Sequence, residues 1–561
     1  MNRLFSTLLL LATALNMAAV PAKRVTRTIT LSNGQSVTVT LRGDEHCKYF
    51  QAADGRRFRS LDGNRFQLIS DADFARMTAH ADERRGRIES LRQTRSANAR
   101  RKIIAPAKEG QFEGSRKGLV ILVNFSDVKL KPTSSLSFYD AMMNKPGFSQ
   151  NGHIGSVNDY FKAQSYGKFD LTFDIVGPVT VSNTMAYYGQ NDRNGEDMYA
   201  ATMVSEACKQ AAPYVNFKDY DWDGDGAVDQ VYVIYAGYGE SNNASPSTIW
   251  PHEWTLTEAM RFGDGDGPLK LGGVTIDTYA CSNELDGTYG SVNAGIGNVC
   301  HEFSHCMGLP DLYDTQYDNF GMNAWSVMDY GCYNAGSCIP AAYTAYERMY
   351  CGWLNPIELT EGCVVEGMKP ITAPDGQAYI IYNSKTPKEY YLLQNIQQES
   401  WNKAADGHGM LIIHVDYNAA VWQNNTVNST PGHERCTIFH ADNNSYITAA
   451  GLAGDPYPGR KNNTSLTDTS TPAATLFNAN ADGKKYMGRP ITDIAEQNGL
   501  ISFVFDGGGR PAPEPEGLYT PAAQSAPHAE SIYDLQGKPV APWKKECKGL
   551  YVSGQKIVLK R

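Results

Sequence analysis

The segment GNVCHEFSHCMGLPDLYD, residues 297–314, constrains this chain more than any other. His301 and His305 stand four apart, so a helix carries both imidazoles on one face, one turn apart. Two neutral imidazoles so placed can bind one Zn²⁺ ion. Glu302 follows the first of them and can take a proton from water at that ion. A His-Glu-x-x-His set arises by chance in roughly one such sequence in a hundred. Alone, it would also suit an ordinary surface helix.

The flanking residues narrow the reading. Gly308 falls where a helix can end in a left-handed turn, and Pro310 prevents its continuation. The chain then turns Asp311 back as the leading candidate for a third zinc ligand, with Asp314 and the distant Glu347 as alternatives. A structural zinc site is closed by a fourth protein ligand, whereas a catalytic one keeps a position for water. No local fourth donor is present, which favours catalysis.

The pattern H-E-x-x-H-x-x-G-x-x-D resembles the extended motif of metzincin-type peptidases, with Asp311 in place of the usual third histidine. Downstream, residues 325–331 (WSVMDYG) resemble the metzincin Met-turn. That resemblance implies Met328 beneath the metal and Tyr330 assisting at the oxyanion. The ordinary fate of a methionine is core packing, but the spacing after the zinc motif favours the turn. More narrowly, H-E-x-x-H-x-x-G-L-P-D-L-Y-D resembles the immune inhibitor A family of secreted bacterial metallopeptidases. Residues 249–252, 352–354, 389–393 and 407–416 share the resemblance, as do Trp422, Asn428 and His433. It implies a zinc endopeptidase acting on proteins, made with an inhibitory propeptide.

Taken together the chain reads as α+β: a metzincin-like α/β catalytic domain with a zinc-binding helix and Met-turn, then a β-sandwich and a small β module. Residues 1–22 have the layout of a signal peptide, with cleavage after Ala19 or Ala22. Residues 23–115 read as the propeptide. Within it, 25–41 alternate as a hairpin about Asn33-Gly34. Residues 75–103 read as an Arg-rich helix ending in a basic processing site at 99–102. Residues 117–125 (KGLVILVNF) form a buried strand that opens the catalytic domain, 116–354, with helices expected at 156–165 and 196–212. Short strands with frequent turns over 355–507 read as the sandwich. A Pro-rich linker, 508–528, leads to a module at 529–561 that resembles the sorting domain of the type IX secretion pathway. The resemblance implies transport across an outer membrane, with release or retention at the cell surface.

A second cation site is suggested by DYDWDGDGAVD, residues 219–229. Asp221, Asp223, Asp225 and Asp229 match the first nine positions of an EF-hand-type loop, and such convergent carboxylates repel one another without a cation such as Ca²⁺. Tyr232 stands where that loop needs its bidentate Glu, so a complete EF-hand is excluded. Asp264 and Asp266 read as an ordinary turn. In the amino-terminal module, Asp44, Glu45, His46 and Cys47 are candidates for capping the zinc, none singled out. Eleven cysteines in an exported chain suggest disulfides, with Cys300 and Cys306 either buried thiols or bridged to the Cys332 and Cys338 region.

Net charge is −9 with 20% charged residues, which gives no footprint for nucleic acid. No stretch after the leader is long and apolar enough to span a bilayer. Two other functions compete: an adhesin or binding protein on a peptidase-derived scaffold, and a non-peptidase zinc hydrolase. The intact His301, Glu302 and His305 set argues against the first. The Met-turn resemblance and a latency module argue against the second.

Overall fold

The computed structural model describes residues 18–61, 64–87, 112–315, 319–509 and 511–512, together with short backbone strands beyond residue 531. Two compact units result, residues 1–513 and 514–561.

The catalytic block is built on a six-stranded sheet. Its order is Ala18–Ala19, His252–Thr255, Thr278–Leu285, Val231–Tyr238, Gly114–Asn124 and Phe169–Thr180. The last four strands run parallel, while His252–Thr255 is antiparallel to its neighbour. Parallel strands covered on both faces need apolar residues at every position, which explains the unbroken run at 119–123. Leu119, Ile121 and Val123 enter a core shared with the helix Ala200–Ala211. Val120 and Leu122 enter the opposite core, shared with the helix Gly297–His305. The sheet therefore holds the His/Glu helix against one face.

The helix expected at 196–212 begins only at Ala200. Asp264 accounts for the difference: its carboxylate accepts the Ala201 and Thr202 N–H groups, fixing the helix start there. Residues 196–199 instead remain in a loop beside the site. The Asp264 turn is thus a cap.

The sandwich consists of a five-stranded and a three-stranded sheet. Tyr379, Ile381, Tyr391, Leu393, Met410 and Ile412 point between the two sheets. The alternate residues Ile380, Tyr390, Leu392, Leu411 and Ile413 point instead into the core of the catalytic block. One sheet thus serves two cores, and its strands Glu389–Ile396 and Gly409–Asp416 are buried along their whole length.

The amino-terminal module is a five-stranded antiparallel meander followed by the helix Asp71–Arg87. Thr26–Thr30 pairs with Ser36–Arg42 about Gly34, which has φ +80°, as the Asn-Gly signal predicts. The helix starts earlier than the expected 75–103; residues 88–103, including the basic processing segment, lie outside the described residues. Trp250, from the catalytic block, sits in the module's own core with Ile29, Val39 and Phe58.

The second unit contains the strands Ile532–Tyr533, Pro539–Val540, Gly549–Ser553 and Lys556–Lys560, joined in one antiparallel sheet. Sequence suggested three runs here; the backbone has four strands.

The bridges considered between Cys300 or Cys306 and the Cys332 and Cys338 region are not formed. Cys208, Cys281, Cys300, Cys306, Cys332, Cys338, Cys351 and Cys436 are free thiols. Cys300 and Cys332 are enclosed in apolar core, and burial pushes both thiols well above their usual pKa, keeping them protonated and unreactive. They act as small core residues. Cys547 lies outside the described residues. Among the described residues, no helix is long and apolar enough to cross a membrane.

Candidate metal centre

The helix Gly297–His305 places every member of the motif in the interior; His301, Glu302 and His305 have no exposed surface. Its close seat depends on Gly297, where a Cβ would lie 1.8 Å from the Cys332 carbonyl oxygen. The helix ends as the sequence demands. Gly308 takes φ +88° and returns its N–H to the His305 carbonyl at 2.8 Å.

Each imidazole is oriented by its inner nitrogen. His301 Nδ1 lies 2.7 Å from the Val327 carbonyl, and His305 Nδ1 lies 2.7 Å from the Leu309 carbonyl. A carbonyl only accepts, so each Nδ1 carries the proton and each Nε2 presents a lone pair. The two Nε2 atoms lie 3.2 Å apart. Asp311 Oδ1 is 3.2 Å from the first and 3.5 Å from the second. Three acceptors therefore converge in a buried space, an arrangement that a cation stabilises and that otherwise repels. The donor set, two imidazoles and one carboxylate, suits zinc.

Charges follow the same geometry. Burial lowers the pKa of His305, favouring the neutral ligand form, while Asp311 opposes the shift. Burial alone would raise Asp311, but the imidazoles beside it, where no cation is held and they carry protons, outweigh that and hold it well below the usual carboxylate range. Burial, then the charges of Asp311 and Glu45, push Glu302 well above its ordinary range, against the N–H of Val20. A cation among the three acceptors acts on Glu302 in the opposite direction. Glu302 Oε2 is buried and has no hydrogen-bond partner among the described residues.

The alternative carboxylates are engaged elsewhere. Glu347 caps the helix Ala345–Tyr350 and accepts from Ser326. Asp314 accepts the Asn319 N–H at 2.8 Å. Asp311 is held by a residue that no sequence motif singles out: Asn425 accepts the Asp311 N–H at 2.7 Å and donates to Asp311 Oδ2. This amide reaches across from the loop after the helix Ala419–Gln423. Met328 is fully buried, and its carbonyl accepts the Leu312 N–H at 2.8 Å, tying residues 325–331 to the loop after the site helix.

The cleft also contains part of the chain itself. Ala18 and Ala19 pair with Glu253 and His252 on the edge strand. Val20 is fully buried; its N–H donates to Glu302 Oε1 at 2.9 Å, and its carbonyl accepts from Trp250 Nε1 at 3.0 Å. Arg24 lies over the ring of Tyr330, 3.8 Å from its centroid, so the same segment covers that residue. Of the four capping candidates, Asp44 accepts the N–H groups of His46 and Cys47, and His46 stands beside Glu45 and Glu196. The residue on Glu302 is Val20, which no motif in the sequence singles out.

In the acidic loop, Asp221, Asp223 and Asp225 bring carboxylate oxygens within 4.8 Å of one another. Gly224 and Gly226 turn the loop with φ +72° and +89°. Asp229 is directed inward instead, accepting the Trp222 N–H at 2.6 Å. Burial and then its three acidic neighbours push Asp229 up to about 7, against that hydrogen bond. The loop carries Trp222, whose ring packs 6.0 Å from Phe303 on the site helix.

Comparison with known proteins adds a second line of support. Residues 106–353 match the immune inhibitor A peptidase M6 catalytic domain. Over 251 residues the chain is 27% identical to the pre-pro-metalloprotease PrtV of Vibrio cholerae, covering 38% of this chain and 27% of that one. Over 306 residues it is 26% identical to immune inhibitor A of Bacillus thuringiensis subsp. alesti, covering 46% and 43% respectively. The chain thus spans less than half the length of either relative. The matched region contains the site helix, Asp311 and the 325–331 turn, so the part of the chain that builds the site is similar to an immune inhibitor A peptidase M6 catalytic domain.

Proposed function

We propose that the chain is the latent form of a secreted zinc endopeptidase that hydrolyses peptide bonds in proteins. The observation that carries this is the convergence of His301 Nε2, His305 Nε2 and Asp311 Oδ1, all within 3.5 Å, beside the open Oε2 of Glu302. Zinc held by those three residues would supply Lewis acidity to the scissile carbonyl and lower the pKa of water. Glu302 takes the proton from the attacking water and passes it to the leaving amine. The outer edge of His252–Thr255 receives the substrate backbone as an added strand, in the place that Ala18 and Ala19 occupy. Tyr330 steadies the oxyanion once Arg24 has left its ring. The decisive variant is Glu302→Gln, which should keep zinc yet fail to cleave casein. Equal adhesion to host protein or glycan by wild type and variant, with no cleavage by either, favours the binding reading instead.

Latency belongs to the same proposal. Val20 occupies one oxygen of Glu302, and residues 20–24 fill the approach to it. Val20 is packed in the cleft and Ala22 in the module. Loss of the amino-terminal module then opens the cleft. The 514–561 unit serves export through the type IX machinery to the cell surface or the medium.

The acidic loop is read as a structural calcium site that positions Trp222 against the site helix. Adding calcium to the calcium-free full-length chain should raise Tm by about 5 °C at a hundredfold excess over Kd. Asp223→Asn should remove most of that rise. An unchanged Tm in the wild type contradicts the calcium reading.

A further inference from the structure

Lys48 is a lysine almost wholly withdrawn from water at the border of the amino-terminal module and the catalytic block. Its Nζ is paired with Glu240, lies 3.7 Å from Asp197 Oδ1, and donates to Asn191 Oδ1 at 3.0 Å. It also stands 5.4 Å from the centre of the Trp250 ring. Burial alone would lower its pKa, but Glu240 and Asp197 outweigh that and raise it, so the lysine is charged. All these partners belong to the catalytic block. They are fixed independently of the lysine: Asp197 Oδ2 accepts the Trp250 N–H at 2.7 Å, and Asn191 donates to Glu240 Oε1 at 3.2 Å.

This pocket is linked to the segment that lies on Glu302. Trp250 also holds the carbonyl of Val20, the residue whose N–H is on Glu302. Further along, the Lys23 N–H donates to the Ser241 carbonyl at 2.9 Å, next to Glu240. A chain leaving Glu302 along this path therefore passes Trp250 and then Glu240 within about three residues, a span of about 10 Å.

We propose that Glu240, Asp197 and Trp250 form a substrate subsite for a cationic side chain, lysine or arginine, which Lys48 fills until the amino-terminal module departs. The inference rests on the peptidase reading above. When the module leaves, one positive charge goes with it and two carboxylates remain. The face of Trp250, now buried in the module's core, is uncovered beside them. A carboxylate pair against an aromatic face binds a desolvated cation and rejects a neutral group of the same length, because the acids are then left without a counter-charge.

The test uses the full-length chain after activation by limited proteolysis, with a peptide library in which each position near the cleaved bond is varied. Lysine or arginine should be enriched at one position within about three residues of that bond. In a matched pair of peptides, lysine should exceed norleucine in kcat/KM by about tenfold or more. Glu240→Gln and Asp197→Asn should each bring that ratio towards one. Should either variant fail to fold, the wild-type lysine-to-norleucine ratio still decides. Cleavage by the wild type without a basic preference overturns the subsite and leaves the peptidase reading standing. No cleavage of any peptide by the activated wild type overturns the peptidase reading, and the subsite with it.

Discussion

Glu302→Gln should lower casein hydrolysis by about 10²–10⁴-fold while the protein keeps its zinc, the loss typical of removing a general base. The substitution preserves size and one oxygen, so the helix Gly297–His305 should be undisturbed. What it removes is the capacity to accept a proton. Glu302 also lies in a cluster with His301 and His305, which raises the question of whether it binds the metal itself. The geometry favours Asp311 for that task, since Asp311 Oδ1 faces both Nε2 atoms. Zinc analysis of the variant separates the two roles. Retained zinc with lost turnover assigns Glu302 to proton transfer. Lost zinc makes it a ligand, and full activity removes it from the mechanism.

Asn425→Ala should weaken zinc binding by about 10–100-fold, the usual cost of deleting a partner that orients a ligand. Asn425 grips Asp311 at two points, the backbone N–H and Oδ2. That grip turns Oδ1 towards the imidazoles. With alanine, Oδ2 loses a donor in a buried setting, a loss of about 1–3 kcal/mol, and the carboxylate is free to rotate. Competition with a chromophoric chelator at fixed pH measures the effect. Unchanged affinity would show that Asp311 is held well enough by its own loop, or is not a ligand. Because Asn425 lies outside the region that matches the family's catalytic domain, the sandwich side of the molecule takes part in building the site.

The local parts of this site were legible in the sequence because they depend on spacing along one chain segment. Imidazoles four positions apart, a glycine where φ must be positive, and a proline that stops the helix all act within a dozen residues. The buried strand at 119–123 was legible for a similar reason: a sheet covered on both faces admits no polar alternation. Asn425 and Val20 were not legible. One is 114 residues and the other 282 residues from its partner, and neither carries a residue type that signals a role. Lys48 was hidden because a lysine in a strand-rich module reads as surface until the fold brings Glu240 and Asp197 to it. Of the two roles the sequence left open for Cys300 and Cys306, the buried thiol holds, because the fold encloses both in apolar core, which spacing along the chain does not reveal.

The most direct measurement is the metal content of the purified chain. One equivalent of zinc per wild-type chain, absent after His301→Ala or His305→Ala and needed for casein hydrolysis after activation, is the predicted result. A wild-type chain that carries no zinc, or whose hydrolysis survives removal of all bound metal by a chelator, contradicts the account at its root.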